Sequence, residues 1–296
     1  MRKFRCLLVS ASAAVMVGGL LVTAGAASGA AATQRPLIHP AHQPSARFLA
    51  RARTALVKYL KHSHPTIMLT HPRALKSTTG SLGSYNWSGY ADAATNSLPA
   101  FRAVSGSWVV PSVSCTPEDR ITSQWVGLDG LTSQTVEQDG TIGWCFEDVP
   151  TYFTWYEMYP GDSVEVGTSL QPGDSIAASV TRVSSTNYSL VVTDSTHPSA
   201  SFSQTASCSV QCVDSSAEWI SERPSFDIGI VPQAKYGKWN LTNAQATFRG
   251  TPGSITNDPS NYRITMIDAT QSYPLDLTSP LGGGGTSFST KWLNSY

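Results

Sequence analysis

The stretch that decides the fold is Ser216-Ala217-Glu218-Trp219-Ile220-Ser221-Glu222-Arg223-Pro224. Tryptophan and isoleucine favour a pleated, half-buried surface, and the proline indicates where the strand ends. Because side chains alternate across a strand, Glu218, Ile220 and Glu222 should share one face, with Trp219 on the other. Two carboxylates around a buried isoleucine are costly, and such a placement often marks a site where a carboxyl group does chemistry.

Short alternating or aromatic runs recur after residue 80, and turn residues separate them. Two similar turns, Pro160-Gly161-Asp162 and Pro172-Gly173-Asp174, each precede a predicted strand. The glycine run Gly282–Gly285 predicts a turn before a last strand that includes Trp292. With only 14% charged residues and no long helical period, residues 81–296 are typical of a large secreted all-β sandwich. The predicted strands are Ala103–Val113, Thr122–Leu128, Tyr152–Tyr159, Ser163–Ser169, Ser175–Val183, Tyr188–Thr193, Ala200–Thr205 and Ala217–Glu222.

The first residues have the pattern of a secretory signal peptide. Residues 1–5 are basic, an apolar run extends from Cys6 to about Ala24, and small residues continue to Ala32. We therefore expect residues 1–32 to be a signal peptide and the protein to be secreted. The alternative is an uncleaved anchor helix, although the apolar run is short for one. No later stretch is long and apolar enough to span a membrane, so we expect no membrane contact after cleavage.

Charge divides the chain into a basic and an acidic part. Residues 1–80 hold 11 of the 20 Lys and Arg and no acidic residue, whereas residues 81–296 carry a formal charge of −11. Residues 46–61 predict a basic amphipathic helix. Such a helix could bind nucleic acid or a membrane surface, but the acidic domain is the nearer partner. We interpret residues 33–80 as a propeptide held on its own mature domain by charge, loosened by acid and cut between about Leu75 and Ser84.

Four cysteines follow the predicted signal peptide, and they suggest two disulfides. Three pairings are possible, of which we favour Cys115–Cys145 and the local Cys208–Cys212. A metal site at these cysteines is the weaker interpretation, because the only histidine after residue 80 is His197.

Several catalytic classes lack their residues here. With His197 alone, in a turn-like stretch, a Ser–His–Asp or Cys–His arrangement is disfavoured. The sequence has no G-x-S-x-G, no H-E-x-x-H, no Asp-Thr-Gly or Asp-Ser-Gly, and no glycine-rich phosphate loop. Carboxylates, amides and aromatic side chains remain, and we expect no metal or organic cofactor in the chemistry.

Four patches of the sequence carry a further signal. They are Asn86-Trp87-Ser88-Gly89-Tyr90, residues 125–130 (Trp-Val-Gly-Leu-Asp-Gly) with 133–140 after them, Trp155-Tyr156-Glu157-Met158-Tyr159-Pro160, and residues 217–222. In this order and spacing they resemble the glutamic peptidases, or eqolisins, and look most like bacterial members, from about Asn86 to Phe226. The resemblance implies a sandwich of two large antiparallel sheets, of the concanavalin or lectin type, with a concave face that binds a protein or peptide substrate.

The resemblance also implies the site residues. Gln138 and Glu222 match the catalytic glutamine and glutamate, while Gln134 is the lower-ranked alternative glutamine. Substrate-binding residues are expected at Trp155 and Glu157, with Asp129 and Glu218 close by.

The chemistry of these residue types agrees with peptide hydrolysis at acid pH. A glutamate with an ordinary pKa of about 4.3 can take a proton from attacking water and return it to the leaving amine. A neutral glutamine amide can donate its N–H to the developing oxyanion at any pH. We therefore predict a secreted, monomeric acid endopeptidase, made as an acid-activated proenzyme, without a nucleic-acid partner.

Two other functions remain open from the sequence. A sandwich-fold glycoside hydrolase could use Glu157 and Glu222 as its carboxylate pair, and would tolerate a change at Gln138. A secreted lectin-like binding module would turn over no substrate, and gives no reason for a basic propeptide.

Overall fold

The computed structural model describes residues 44–60, 67–69, 80–94, 96, 98–115, 120–167, 169–226, 229–257 and 260–295. The predicted signal peptide and residues 75–79 of the predicted cleavage region lie outside these ranges. Among the helices of the described ranges, none has the length and apolar character needed to cross a membrane.

Strands dominate the described part of the chain, after a single α-helix, α1, at Ala46–Leu60. The strands are β1 Gly80–Ser84, β2 Trp87–Ala93, β3 Phe101–Val109, β4 Ile121–Leu128, β5 Val136–Phe146, β6 Val149–Tyr159, β7 Val164–Gly167, β8 Ser175–Arg182, β9 Asn187–Asp194, β10 Phe202–Ser207, β11 Ser216–Glu222, β12 Ser225–Phe226, β13 Gly229–Ile230, β14 Lys238–Phe248, β15 Thr251–Gly253, β16 Asn261–Ile267, β17 Pro274–Thr278 and β18 Phe288–Trp292.

Nearly all strands belong to one hydrogen-bonded sheet, in the order β10-β9-β8-β3-β14-β18-β17-β16-β2-β11-β4-β5-β6-β7. The pairs along this path are antiparallel, and β1 joins β16 in parallel. The predicted two antiparallel sheets are therefore one continuous, nearly closed sheet that folds back on itself. The link runs through β14, β16, β17 and β18. Of these four strands, sequence patterning identified β18 alone, as the predicted last strand that includes Trp292.

Two hydrophobic cores lie on opposite faces of β11. The first fills the space between the layers and includes Trp219 with Trp108 and Leu190. The second covers the outer face of the β2-β11-β4-β5-β6 layer and includes Ile220 and Trp125. The alternation predicted for this strand is thus confirmed, and it places Glu218 and Glu222 on the outer face.

Helix α1 packs on that outer face. Ala52 and Leu56, one turn apart, are fully buried in the second core, while Arg51 and Arg53 lie on the exposed side. Burying a leucine side chain contributes about 1.5–3 kcal/mol, so docking on the sheet stabilises a helix of this length. The helix predicted at residues 46–61 is confirmed.

Strand β5 is the most informative strand that the sequence patterning missed. It contains Glu137, Gln138 and Asp139, and these residue types are uncommon in strands. Gly140 is required there, because a Cβ at that position would collide with the backbone of Gln124 and with Trp125 on β4. Tertiary packing therefore overrides local propensity in β5.

Both favoured disulfides are present. Cys115 pairs with Cys145, with Cα atoms 5.4 Å apart, and Cys208 pairs with Cys212. The first closes a loop that joins the end of β5 to the chain after β3.

Candidate active site

Neighbouring strands bring the predicted catalytic residues to one face of the sheet. Gln138 on β5 lies directly opposite Glu157 on β6. Glu222 on β11 lies opposite Trp87 on β2 and Ser123 on β4. Paired residues share a face, and residues two apart along a strand share it too. The registers therefore place Gln138, Glu157 and Glu222 together on the outer face.

The carboxyl group of Glu222 is held by the side chains around it. Trp125 donates its indole N–H to Glu222 Oε2 at 2.8 Å, and Asn86 Nδ2 lies 3.4 Å from Oε1. The pKa of Glu222 is raised to about 8, mainly by burial and in part by the charge of Glu157, against the opposing effect of the Trp125, Trp87 and Asn86 side chains. In this covered state Glu222 is therefore protonated at acid pH.

Glu157 fixes the amide of Gln138. Gln138 Nε2 donates to Glu157 Oε2 at 2.7 Å, and Ser163 Oγ donates to Glu157 Oε1 at 2.6 Å. A primary amide has two N–H donors. With one donated to Glu157, the Gln138 side chain keeps a fixed orientation and a second donor.

The two candidate glutamines differ clearly in position. Gln138 is fully buried near the start of β5, whereas Gln134 is exposed in the loop before that strand. Of the two, Gln138 is therefore the one on the strand face that carries Glu222.

Trp155 and Glu218 lie on the same face. Trp155 on β6 is opposite Gly140 and Glu165 and belongs to the second core. Glu218 is fully buried, and its burial raises its pKa well above the ordinary range, with the charge of Asp129 adding to the rise. Both side chains are therefore buried on the face that carries Gln138 and Glu222.

Asp129 holds the segment that precedes β11. Its Oδ2 accepts the backbone N–H groups of Val213 and Asp214 at 2.8 Å, and its Oδ1 accepts the backbone N–H and the hydroxyl of Ser215 at 2.7 and 2.8 Å. Thr135 Oγ1 lies 3.3 Å from Oδ2. These donors engage both carboxylate oxygens of Asp129.

Helix α1 covers this face of the sheet. Ala52 and Leu56 share the second core with Trp87, Trp125 and Trp155. With the helix in place, Gln138 is 0% and Glu222 2% exposed.

Charge pairs accompany this apolar contact. Arg53 pairs with Glu165, whose side chain is fully buried, and Arg51 pairs with the half-exposed Glu147. Burial raises the pKa of Glu165, and the Arg53 guanidinium opposes that rise. The helix therefore docks on this face of the sheet through both apolar and charged contacts.

Sequence reasoning missed four residues that complete the site, namely Asn86, Trp87, Trp125 and Ser163. Two of the patches quoted above contain the first three of these residues. The motif order was a usable signal for them, but a strand pattern alone does not show that an indole N–H points at a carboxylate.

Comparison with known proteins gives both family and structural matches. Residues 85–291 match the Peptidase A4 family. The chain is 29% identical to aspergillopepsin-2 of Aspergillus niger over 70% of this chain and 80% of that protein. It is 37% identical to scytalidopepsin B of Scytalidium lignicola over 41% of this chain and 46% of that protein.

A solved structure shows the same fold. The structure of scytalido-glutamic peptidase with a transition state analog inhibitor superposes with a TM-score of 0.59 at 27% identity, covering 71% of this chain and 98% of that one. The family match spans most of the chain and includes all four patches. The chain therefore belongs to the Peptidase A4 family, the glutamic peptidases or eqolisins, and is a hydrolase that acts on peptide bonds.

Proposed function

We propose that the protein is a secreted acid endopeptidase, made as a proenzyme, in which Glu222 and Gln138 form the catalytic pair. The observation that supports this most directly is their convergence on one face of the sheet. There Trp125 holds the carboxyl group of Glu222 and Glu157 holds the amide of Gln138. Gln134, exposed in a loop, has no comparable support.

In the proposed mechanism, water attacks the peptide carbonyl carbon while the Glu222 carboxylate takes a proton from that water. The carbonyl oxygen becomes an oxyanion, and the second N–H of Gln138 donates to it. The C–N bond then breaks as Glu222 returns the proton to the leaving nitrogen. No covalent bond to the enzyme forms, and the carboxylate is regenerated.

This mechanism requires ionised Glu222 at acid pH. We propose that release of α1 produces this ionised form. Burial is the largest cause of the raised pKa of Glu222. When the helix leaves, water reaches the carboxyl group and its pKa falls towards the ordinary range. Trp125 and Asn86 continue to stabilise the carboxylate.

The remaining site residues take supporting roles. Trp155 offers an apolar wall for the substrate, and Glu157 both orients Gln138 and lines the groove. Glu218 supports the sheet face. Asp129 is left out of the substrate-binding set because its oxygens hold the segment before β11.

The division into signal peptide 1–32, propeptide 33–80 and mature domain 81–296 is part of the proposal. The docked helix α1 supports a blocking role for the propeptide, because it buries Leu56 over the site.

The pKa shifts bear on how acid activates the protein. The pKa values of Glu165 and Glu222 are both raised in this structure, and burial is the largest cause. The Arg53 guanidinium opposes the rise at Glu165, so protonation of Glu165 weakens that ion pair. The half-exposed Arg51–Glu147 pair contributes little. We attribute activation to acid, which loosens the charged contact, together with cleavage between about Leu75 and Ser84.

The test is hydrolysis of a denatured protein between about pH 2 and pH 8, a range that brackets carboxylate titration. Wild type, Glu222→Gln and Gln138→Ala are each processed by immobilised wild-type protein and then separated from it. Gln134→Ala is the matched control.

We expect acid-range cleavage by wild type and by the control, and its loss in the other two variants. Cleavage that survives both Glu222→Gln and Gln138→Ala would overturn the assignment. Turnover of a polysaccharide, abolished by Glu157→Gln but not by Gln138→Ala, would support the glycoside hydrolase instead.

A further inference from the structure

A second cluster of ionisable side chains lies away from the candidate active site, at one end of β8 and β9. Asp174 precedes β8, Asp194 ends β9, and His197 follows in the next turn. One ligand atom from each residue lies within 4.8 Å of the others. His197 is also the single histidine after residue 80.

Both aspartates are buried, and one carboxylate oxygen of Asp194 lacks a hydrogen-bond donor among the described residues. Asp194 Oδ1 accepts the backbone N–H groups of Thr196 and His197 at 2.8 and 2.9 Å. Its Oδ2 accepts no hydrogen bond from the described residues, although Asp194 is only 1% exposed. Leaving a buried carboxylate oxygen without a donor is costly. The free oxygen therefore indicates that a positive group can be accommodated there.

A second buried carboxylate, that of Asp174, lies next to Asp194. Asp174 is 1% exposed, and its Oδ2 accepts the backbone N–H of Gln171 at 2.7 Å. Its Oδ1 lies 2.7 Å from His197 Nδ1, and the side chain of His197 is 41% exposed. Two close carboxylates, one with a free oxygen, thus face an accessible imidazole.

We propose that Asp174, Asp194 and His197 form a binding site for a divalent first-row transition metal, with Zn²⁺ as the best match. Imidazole nitrogen and carboxylate oxygen are both ligands of Zn²⁺, at about 2.0–2.2 Å. The three protein ligands leave a coordination position for water. Tetrahedral ligand atoms at these bond lengths lie roughly 3.3 Å apart. Binding therefore requires the 2.7 Å contact between His197 Nδ1 and Asp174 Oδ1 to open, while the wider separations in the cluster, which is contained within 4.8 Å, close.

The site would be structural, because it ties together segments that support the groove. It joins the start of β8 and the end of β9 to the short 3-10 turn Pro198–Ala200. The carbonyl of Ala200 accepts a hydrogen bond from Thr154 at 2.8 Å, and Thr154 adjoins Trp155 on β6. A metal here would stabilise this end of the sandwich without entering the peptidase reaction.

Calorimetric titration of the full chain with Zn²⁺ at pH 7, after removal of metal with a chelator, tests the proposal. Five other histidines lie before residue 80 and can also bind Zn²⁺. The decisive quantity is therefore a difference in stoichiometry between variants. The variants are His197→Gln and Asp194→Asn. Asp162→Asn, an exposed aspartate in the similar Pro-Gly-Asp turn, is the matched control.

We expect His197→Gln and Asp194→Asn each to bind one equivalent fewer than wild type, and Asp162→Asn to bind the same number. Zn²⁺ should raise the thermal midpoint of wild type, with a smaller rise in His197→Gln. Since His197 is partly exposed, that variant remains informative if Asp194→Asn fails to fold. Equal stoichiometry in wild type and His197→Gln would overturn the proposal.

Discussion

Replacing Trp125 with phenylalanine removes one hydrogen bond and keeps most of the buried ring. The indole N–H of Trp125 lies 2.8 Å from Glu222 Oε2 and stabilises the carboxylate form. A hydrogen bond to a charged group contributes about 1.5–3 kcal/mol. At about 1.4 kcal/mol per pKa unit, its loss should raise the pKa of Glu222 by roughly one to two units.

The assay is the pH dependence of kcat/KM for one peptide, measured on processed protein. The acid limb of that profile reports ionisation of the base in the free enzyme. We expect Trp125→Phe to move the acid limb up by roughly one to two pH units. Trp155→Phe is the control, because no described residue accepts a hydrogen bond from its indole N–H. An unmoved acid limb in Trp125→Phe, or an equal movement in Trp155→Phe, would refute the reasoning.

Three further predictions concern docking and stability. Leu56→Ala should weaken the docking of α1 by about 2–5 kcal/mol and raise the rate of amide hydrogen exchange in the helix at least roughly 30-fold. An unchanged exchange rate would mean that Leu56 does not hold the helix on the sheet. Replacing Cys115 and Cys145 by alanine opens a loop of 30 residues and should lower the free energy of unfolding, measured in urea, by about 3–4 kcal/mol. A decrease below about 1 kcal/mol would contradict this. Burial raises the pKa of Asp139 well above its usual value, so its contribution to stability is present below the unfolded-state pKa and is lost as pH rises. Asp139→Asn should therefore reduce the drop in the urea midpoint between pH 4 and pH 7, and an unchanged drop would count against it.

Much of the architecture could be predicted because burial imposes a period on the sequence. The alternation around Ile220 and the spacing of apolar residues in α1 each follow from one buried face. The order of the four patches was enough to propose Gln138 and Glu222. The strand registers then put both residues on one face of the sheet.

What could not be predicted depends on contacts between distant segments. β5 carries residue types that are uncommon in strands, and only packing against β4 and β6 makes it one. The carboxylate of Asp129 binds backbone N–H groups some 84–86 residues further along the chain, so its clamping role is invisible locally. The same holds for the closure of the sheet through β16 and β17.

Helix α1 brings the basic segment of the chain into contact with the acidic domain. Sequence charge alone suggested that the basic segment binds the acidic domain. The structure adds that the contact is largely apolar, through Ala52 and Leu56, with Arg53 facing the buried Glu165. Because the apolar part of this contact does not titrate, release of the helix and the onset of activity should require cleavage of the chain in addition to acid.

The most direct test of the central claim is a paired measurement on processed Gln138→Ala. Its kcat and KM for one peptide are compared with its affinity for a peptide-based transition-state analogue, with Gln134→Ala measured alongside. If Gln138 stabilises the oxyanion, kcat should fall about 10²–10³-fold at nearly constant KM, and affinity for the analogue should fall by a similar factor. A loss confined to KM, or an equal loss in Gln134→Ala, would contradict the account.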